Sequence, residues 1–213
     1  MDEVARTDSA DVRELHVGDM DNVAYLITCR SSGSQVLVDA AAEPERLLDL
    51  VRAGSPDGST TLATVITTHR HHDHVGALAA VVEATGAHTA AGEDDADHLP
   101  VTVDRRLTHG EAVIVGGVRL DVVHLRGHTP GSVALVLRDA HGPDHVFTGD
   151  SLFPGGVGNT FGSAENFRSL VADVEERLFG SLDDDTVVHP GHGAPTTIGA
   201  ERPHLPEWRE RGW

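Results

Sequence analysis

Lysine is absent from this chain of 213 residues, so all 16 of its Lys and Arg positions are arginines, against 34 aspartates and glutamates. The formal net charge is −18 with histidine neutral. Without lysine the chain can neither form a Schiff base nor use the lysine of a P-loop. So negative a chain argues against a partner such as nucleic acid or an anionic membrane surface, because both require a basic patch.

Cysteine, aromatic residues and long apolar runs are also scarce. The single cysteine cannot form an internal disulfide, which excludes a disulfide-stapled secreted scaffold. No stretch approaches the roughly 18 apolar residues of a membrane span. The acidic start, residues 1–14, lacks the basic and apolar regions of a signal peptide. We therefore expect a cytoplasmic protein without a membrane partner, folded as one domain over residues 1–213.

Short apolar runs alternate with turn residues along the chain. They predict strands at 24–29, 35–38, 62–67, 113–125 with a turn at 116–117, 132–137, 144–148 and 186–188. Helical spacing predicts helices at 44–53, 75–85 and 164–179. Helices that are few and lie between groups of strands favour two sheets with helices outside. In the tail, residues 205–213, Trp208 could pack on the body or contact another subunit.

Residues 68–74 read THRHHDH and contain the pattern H-x-H-x-D-H, formed by His69, His71, Asp73 and His74. The pattern follows a predicted strand and precedes a predicted helix, so it lies on a turn that can direct several side chains into one space. Imidazoles and carboxylates are ordinary ligands of zinc, iron and manganese. We interpret the segment as a metal site, and a solvated histidine-rich loop is the alternative.

Three further ligand-type residues follow predicted strands. His128 lies in RGHTPGS, Asp150 in TGDSLF and His192 in HPGHG, and glycine or proline beside each favours a sharp turn. If these strand ends share one edge of the fold, five histidines and two aspartates converge there.

The segments H-x-H-x-D-H, GHTPGS, TGDSLF and PGHG, in this order over residues 69–192, resemble the metallo-β-lactamase superfamily and in particular its thioesterase and glyoxalase II branch. The resemblance implies an α/β fold, a four-layer αββα sandwich with a metal site at one edge of the two sheets. It implies two divalent metal ions, most simply zinc, with iron possible. Their ligands would be His69, His71 and His128 for the first ion, Asp73, His74 and His192 for the second, and Asp150 as the bridge.

The resemblance also implies a hydrolase of a small-molecule thioester of the S-lactoyl-thiol type. A hydroxide shared by the two ions would be the nucleophile at neutral pH, with Asp73 and Asp150 as the catalytic carboxylates. A mononuclear iron persulfide dioxygenase of the same superfamily is the alternative, because such enzymes keep most of the motif residues. A non-enzymatic metal-binding protein is disfavoured because no ligand is lost.

The substrate contacts are less defined by the resemblance. Related enzymes commonly carry a basic residue in the glycine-rich loop after the bridging carboxylate, where this chain has Asn159. Only residues 193–213 follow His192, so we expect the additional C-terminal helical region of glyoxalase II to be missing. We expect the loop to contact substrate through Gly156, Asn159 and Thr160. Asp39 and His189 are predicted to support the metal ligands from behind.

Overall fold

The first half of the chain forms one seven-stranded sheet. The computed structural model describes residues 2–55, 58 and 62–212. The strands of this sheet lie side by side in chain order, namely β1 (Asp2–Arg6), β2 (Ala10–Val17), β3 (Asn22–Cys29), β4 (Gln35–Val38), β5 (Leu62–Thr67), β6 (His88–Gly92) and β7 (Arg105–Leu107). Pairing is antiparallel from β1 to β4 and parallel from β4 to β7.

The second half of the chain forms the other sheet and a separate small hairpin. Its strands are β8 (Ala112–Val115), β9 (Val118–His124), β10 (Val133–Leu137), β11 (His145–Gly149), β12 (Leu152–Phe153), β13 (Gly156–Val157), β14 (Val187–Pro190) and β15 (Thr196–Thr197). Six of them lie in the order β15-β14-β11-β10-β9-β8, and β12 pairs with β13 in a small hairpin. The predicted turn at 116–117 joins β8 to β9, with Gly116 in the left-handed region at φ 58°.

Helices lie on the outer faces of both sheets. They are α1 (Pro44–Ala53), α2 (His72–Val75), α3 (Leu78–Thr85), α4 (Ala164–Asp173), α5 (Ile198–Glu201) and α6 (Leu205–Arg211). The segment Val174–Phe179 continues α4 as a π-helix, and short 3-10 turns lie at Ala96–His98 and Arg202–His204. Pro44 occupies the first turn of α1, where its missing N–H has no helical partner to lose. The Ser163 side chain caps α4 by accepting a hydrogen bond from the Asn166 N–H.

Alternation along β3 shows how the layers are held together. Tyr25 and Ile27 face the second sheet, whereas Ala24 and Leu26 face α1 and α3, and every residue of β3 is buried. A third apolar cluster packs α4 and α6 onto the outer face of the second sheet, with Trp208 buried in it beside Phe179. The order of layers is helix, sheet, sheet, helix, which confirms the αββα sandwich.

One predicted helix was wrong at its boundaries, and several strands were not predicted. The helix predicted at 75–85 is two helices, α2 and α3, and α2 begins at His72 inside the histidine motif. The helices divide where the Ala77 N–H donates to the Ala40 carbonyl at 3.0 Å, and Gly76 fits there because a Cβ would lie 2.6 Å from the Ala41 carbonyl oxygen. The unpredicted strands are β1, β2, β6, β7, β12, β13 and β15, and the exposed sides of β1 and β2 are polar and charged. Trp213 lies outside the described residues.

Candidate metal centre

The predicted ligands lie on four loops, each of which follows the end of a strand. His69 and His71 follow β5, His128 follows β9, Asp150 follows β11 and His192 follows β14, while Asp73 and His74 lie in α2. Backbone hydrogen bonds join the two sheets at this edge. The Val23 N–H donates to the Gly191 carbonyl (2.8 Å), and the Val133 N–H donates to the Thr68 carbonyl (2.9 Å). The edge therefore gathers loops from both halves of the chain.

Asp150 lies at the centre of the cluster. Its Oδ1 is 3.2 Å from Nε2 of His74, and its Oδ2 is 3.5 Å from Nε2 of both His128 and His192. Nε2 of His69 is 4.0 Å from the same Oδ2. One carboxylate thus faces four imidazoles.

The ligand-type atoms of the cluster form three overlapping groups, each with its atoms within 4.8 Å of one another. The groups are His69, His71 and His128; Asp73, His74 and His192; and Asp39, His69 and His74. The first two are the ligand sets that the resemblance implied. His72, which lies between His71 and Asp73 in sequence, points into solvent with its side chain 91% exposed.

Three of the imidazoles are held from behind by oxygen acceptors. Nδ1 of His74 donates to Oδ2 of Asp39 at 2.8 Å. Nδ1 of His128 donates to the Asn159 carbonyl at 2.8 Å, and Nδ1 of His192 donates to the Met20 carbonyl at 2.7 Å. A carbonyl or carboxylate oxygen can only accept, so Nδ1 carries the proton and a neutral ring presents its Nε2 lone pair to the site.

The Nε2 lone pairs converge on the site, and two of them meet no protein donor. Nε2 of His69 and Nε2 of His128 are buried without a hydrogen-bond partner, and Nε2 of His74 lies 3.2 Å from Nε2 of His192. A buried acceptor without a donor is costly. A divalent cation supplies the missing partner, and a set of imidazoles and carboxylates is one that zinc and iron accept. The residues present therefore fit two metal ions.

Burial and neighbouring charges set the protonation of the cluster. Burial lowers the pKa of His69 well below its ordinary value and also lowers that of His128, which keeps both imidazoles neutral. Burial opposes a charge on His74 as well, but the carboxylates of Asp39 and Asp150 raise its pKa to about 10. Hydrogen bonds with His192 and His74 hold the pKa of Asp150 below its ordinary value despite burial. Without metal, protons therefore occupy part of the cluster.

Asp39 lies directly behind the centre. Besides His74, its carboxylate accepts hydrogen bonds from the backbone N–H and the hydroxyl of Thr68, each at 2.7 Å. Its backbone is left-handed at φ 59°, a conformation that Asp tolerates better than most residues. Asp39 therefore fixes both the end of β5 and the His74 ring.

His189 was predicted to support the ligands, but the structure places it in a different environment. Its Nε2 lies 2.9 Å from Nδ1 of His145, and its ring stacks on Phe147 at 4.9 Å and meets Tyr25 edge-on. None of these three neighbours is a predicted ligand. These contacts make His189 part of the core between the sheets.

The loop after Asp150 meets the site through the predicted Asn159 and through a residue that was not predicted, Phe161. Asn159 contributes its backbone carbonyl to His128, Thr160 is buried, and Gly156 is buried in β13. Phe161, which the sequence analysis missed, is 68% exposed with φ 54°. Its ring lies 5.6 Å from that of His71 and 5.9 Å from that of His128. Phe161 therefore faces the first group of ligands, and Phe153, whose ring lies 6.4 Å from that of His192, faces the second.

Asn22 is a second residue of the site that was not predicted from the sequence. Its side-chain Nδ2 donates to Asp73 Oδ2 (3.0 Å) and lies 3.4 Å and 3.3 Å from Nε2 of His74 and His192. It is buried at the start of β3. A polar residue directly before the apolar run 23–27 was the only signal for it in the sequence.

Comparison with known proteins agrees with this geometry. Residues 17–192 match the family described as the Metallo-beta-lactamase superfamily. Hydroxyacylglutathione hydrolase GloC of Haemophilus influenzae is 30% identical over 184 residues, which are 78% of this chain and 83% of that protein. Hydroxyacylglutathione hydrolase of a Polaromonas species is 34% identical over 172 residues, 80% of this chain and 62% of that protein. The crystal structure of TTHA1623 in a di-iron-bound form has a TM-score of 0.73 at 34% identity, covering 89% of this chain and 96% of that one.

Proposed function

The chain belongs to the metallo-beta-lactamase superfamily, and within it we propose a metal-dependent hydrolase of a small thioester of the S-lactoyl-thiol type. The observation that carries this proposal is the set of imidazole Nε2 atoms around Asp150, of which those of His69 and His128 are buried without a hydrogen-bond partner. The relatives named hydroxyacylglutathione hydrolase, at 30% and 34% identity, support the thioester as substrate.

Two metal ions would be held by the two groups of ligands. His69, His71 and His128 would bind one ion, Asp73, His74 and His192 the other, and Asp150 would contact both. When bound, such a pair lowers the pKa of a water molecule to near 7 and polarises a substrate carbonyl. We propose zinc, and iron stays a candidate because the similar TTHA1623 structure is a di-iron-bound form.

The residues around the ligands position them and shape the substrate site. Asp39 fixes the tautomer and the orientation of His74, and the carbonyls of Asn159 and Met20 do the same for His128 and His192. Phe161 provides an apolar wall beside the first group of ligands.

The scarcity of proton donors favours a thioester over an amide. The sequence contains no lysine, and the one tyrosine, Tyr25, donates its hydroxyl to the Pro190 carbonyl at 2.7 Å. Burial raises the pKa of Tyr25 above its ordinary value, so it is a poor acid. A thiol has a pKa of about 8.5, so a thiolate leaves without an acid catalyst, unlike an amine.

Elemental analysis of protein purified without added metal, combined with two assays, tests the proposal. One assay follows hydrolysis of an S-lactoyl thiol, and the other follows oxygen uptake with glutathione persulfide. We expect two metal ions per chain and hydrolysis. One iron ion with oxygen uptake would instead establish the persulfide dioxygenase, and a protein that binds no metal would contradict both functions.

A matched pair of variants separates a site effect from a general loss of histidine. His71→Ala should abolish hydrolysis because His71 belongs to the first group of ligands. His72→Ala should keep it because that side chain is exposed. Equal activity of the two variants would refute the proposed site.

A further inference from the structure

A cavity of about 460 Å³ opens beside the first group of ligands. His71 and His128 form one side of it, and Arg70, Arg126, Phe161 and Asn166 lie among the residues of the other sides. Its volume is within the range of small-molecule sites. A substrate that reaches the metal centre through this cavity therefore passes two guanidinium groups.

Both arginines are held in place by buried carboxylates. Asp173 accepts from Nε and Nη2 of Arg126 at 2.8 Å and 2.7 Å, and also from its backbone N–H. Asp95, which is fully buried, accepts from the backbone N–H of Arg70 at 3.0 Å and lies 3.6 Å from its Nε. A guanidinium has five N–H donors, so each arginine keeps donors for another partner. Anchoring of this kind reduces the entropy lost when such a partner binds.

Net charge does not favour an anion in the cavity. Asp173 and Asp95 are already engaged, with Asp95 also accepting from the Thr129 hydroxyl and the Gly131 N–H. Asp94 is the exposed carboxylate that lines the cavity. A protein with a net charge of −18 repels anions in general. Because Arg70 and Arg126 are paired with Asp95 and Asp173, an anion would be held in the cavity by the directed N–H donors of the two guanidinium groups and not by net charge.

We propose that Arg70 and Arg126 bind a carboxylate group of the substrate in this cavity and so select thioesters that carry one. The inference rests on the proposed thioester hydrolysis. Guanidinium groups match the planar carboxylate with paired hydrogen bonds, and Phe161 covers the apolar part of the substrate between the arginines and the metal ligands. The two arginines take no part in the chemical step.

Paired substrates test this selection. S-Lactoyl thioesters of mercaptoalkanoic acids with spacers of increasing length are compared with the corresponding amides, which differ only in the charge. A second series places the carboxylate on the acyl half, as in succinyl and succinamoyl thioesters. For at least one spacer we expect kcat/KM of the acid to exceed that of the amide by about tenfold or more, as for a charge-assisted hydrogen bond. The series that shows the ratio identifies the half of the substrate that carries the carboxylate.

Arg126→Gln and Arg70→Gln should each bring the acid-to-amide ratio toward one. Arg138→Gln is the control, because it also removes an arginine paired with an aspartate, Asp144, but one outside the cavity. The ratio is insensitive to metal content, since both substrates use the same centre. Arg70→Gln keeps the test valid if Arg126→Gln fails to fold after losing its bond to Asp173.

Equal kcat/KM for acid and amide in the wild type, or a ratio that persists in both glutamine variants, would overturn the proposal. If the metal-loaded protein hydrolyses neither substrate, the proposed function fails. Calorimetric titration with glutarate and glutaramide then tests the carboxylate site by itself. Glutarate binding that is lost in Arg126→Gln but kept in Arg138→Gln would support a carboxylate site. Absence of glutarate binding would refute it.

Discussion

Replacing Asp39 with Asn changes one buried charge behind the metal centre and almost no volume. The wild-type carboxylate accepts from Nδ1 of His74 at 2.8 Å and from the N–H and the hydroxyl of Thr68 at 2.7 Å each. In the variant, the amide oxygen can still accept from the Thr68 N–H, and the Thr68 hydroxyl can turn to accept from the amide nitrogen. The amide N–H then also faces Nδ1 of His74. Because an N–H can only donate, Nδ1 must lose its proton in order to accept. The proton moves to Nε2, the atom that faces the metal site.

The expected cost follows from the bond that is lost. A hydrogen bond to a charged group contributes about 1.5–3 kcal/mol. Because about 1.4 kcal/mol corresponds to a tenfold change in an equilibrium constant, affinity for the ion bound by Asp73, His74 and His192 should fall about 10- to 100-fold. Asp39 reaches the ligands of the other ion through the Thr68 hydroxyl, which lies 3.1 Å from Nδ1 of His69, so that ion should lose less affinity.

Competition with a chromophoric chelator, in which zinc is titrated into the metal-free protein, measures both affinities. Asp144→Asn is the matched control, because Asp144 also accepts from a side chain and a backbone N–H, those of Arg138 and Asp139, but has no contact with the cluster. Two zinc ions bound by Asp39→Asn with affinities within about twofold of the wild type would refute the tautomer argument.

Three further outcomes are expected. Asp150→Ala should lower kcat of the metal-loaded protein by about a hundredfold or more with an unchanged circular dichroism spectrum, since this carboxylate faces both groups of ligands; a fully active variant would exclude a bridging role. His128→Ala should lose one of the two metal ions by elemental analysis, whereas His72→Ala should lose none, and equal metal content in the two would contradict the assignment. The pKa of His74 is raised to about 10 and that of His192 is raised as well, so zinc binding at neutral pH must displace protons, and affinity should rise with pH toward about 10. Calorimetry in buffers of different ionisation enthalpy measures the protons released on zinc binding, and zero release would refute the expected displacement of protons.

Local signals in the sequence predicted two sheets with helices outside and ligand-type residues after strand ends, whereas the αββα order and the assignment of seven ligands were implied by the resemblance. Strands such as Gln35–Val38 are apolar throughout, and a histidine or aspartate directly after a strand must lie at a sheet edge. The division of the helix was not predicted, because it accompanies the hydrogen bond from the Ala77 N–H to the Ala40 carbonyl, a contact distant in sequence. That contact exists only once the sandwich has formed.

Residues that act on the site from a distance in sequence were also missed. Asn22 meets Asp73 across 51 positions, and Arg126 pairs with Asp173 across 47. Neither side chain belongs to a residue type that a metal motif requires. His189 shows the converse error, because its nearness to His192 in sequence suggested a shared site, whereas the alternation of side chains along β14 directs it to the core.

The division of the chain between the sheets has a consequence for assembly. Strands β1 to β7 end at Leu107, and β8 begins at Ala112, so each sheet is one uninterrupted stretch of chain. The first stretch carries His69, His71, Asp73 and His74, and the second carries His128, Asp150 and His192. Neither stretch alone contains a full set of ligands for either ion. Metal that binds only the joined form stabilises it by mass action, so a chain cut between residues 107 and 112 should yield two fragments whose association strengthens with zinc concentration.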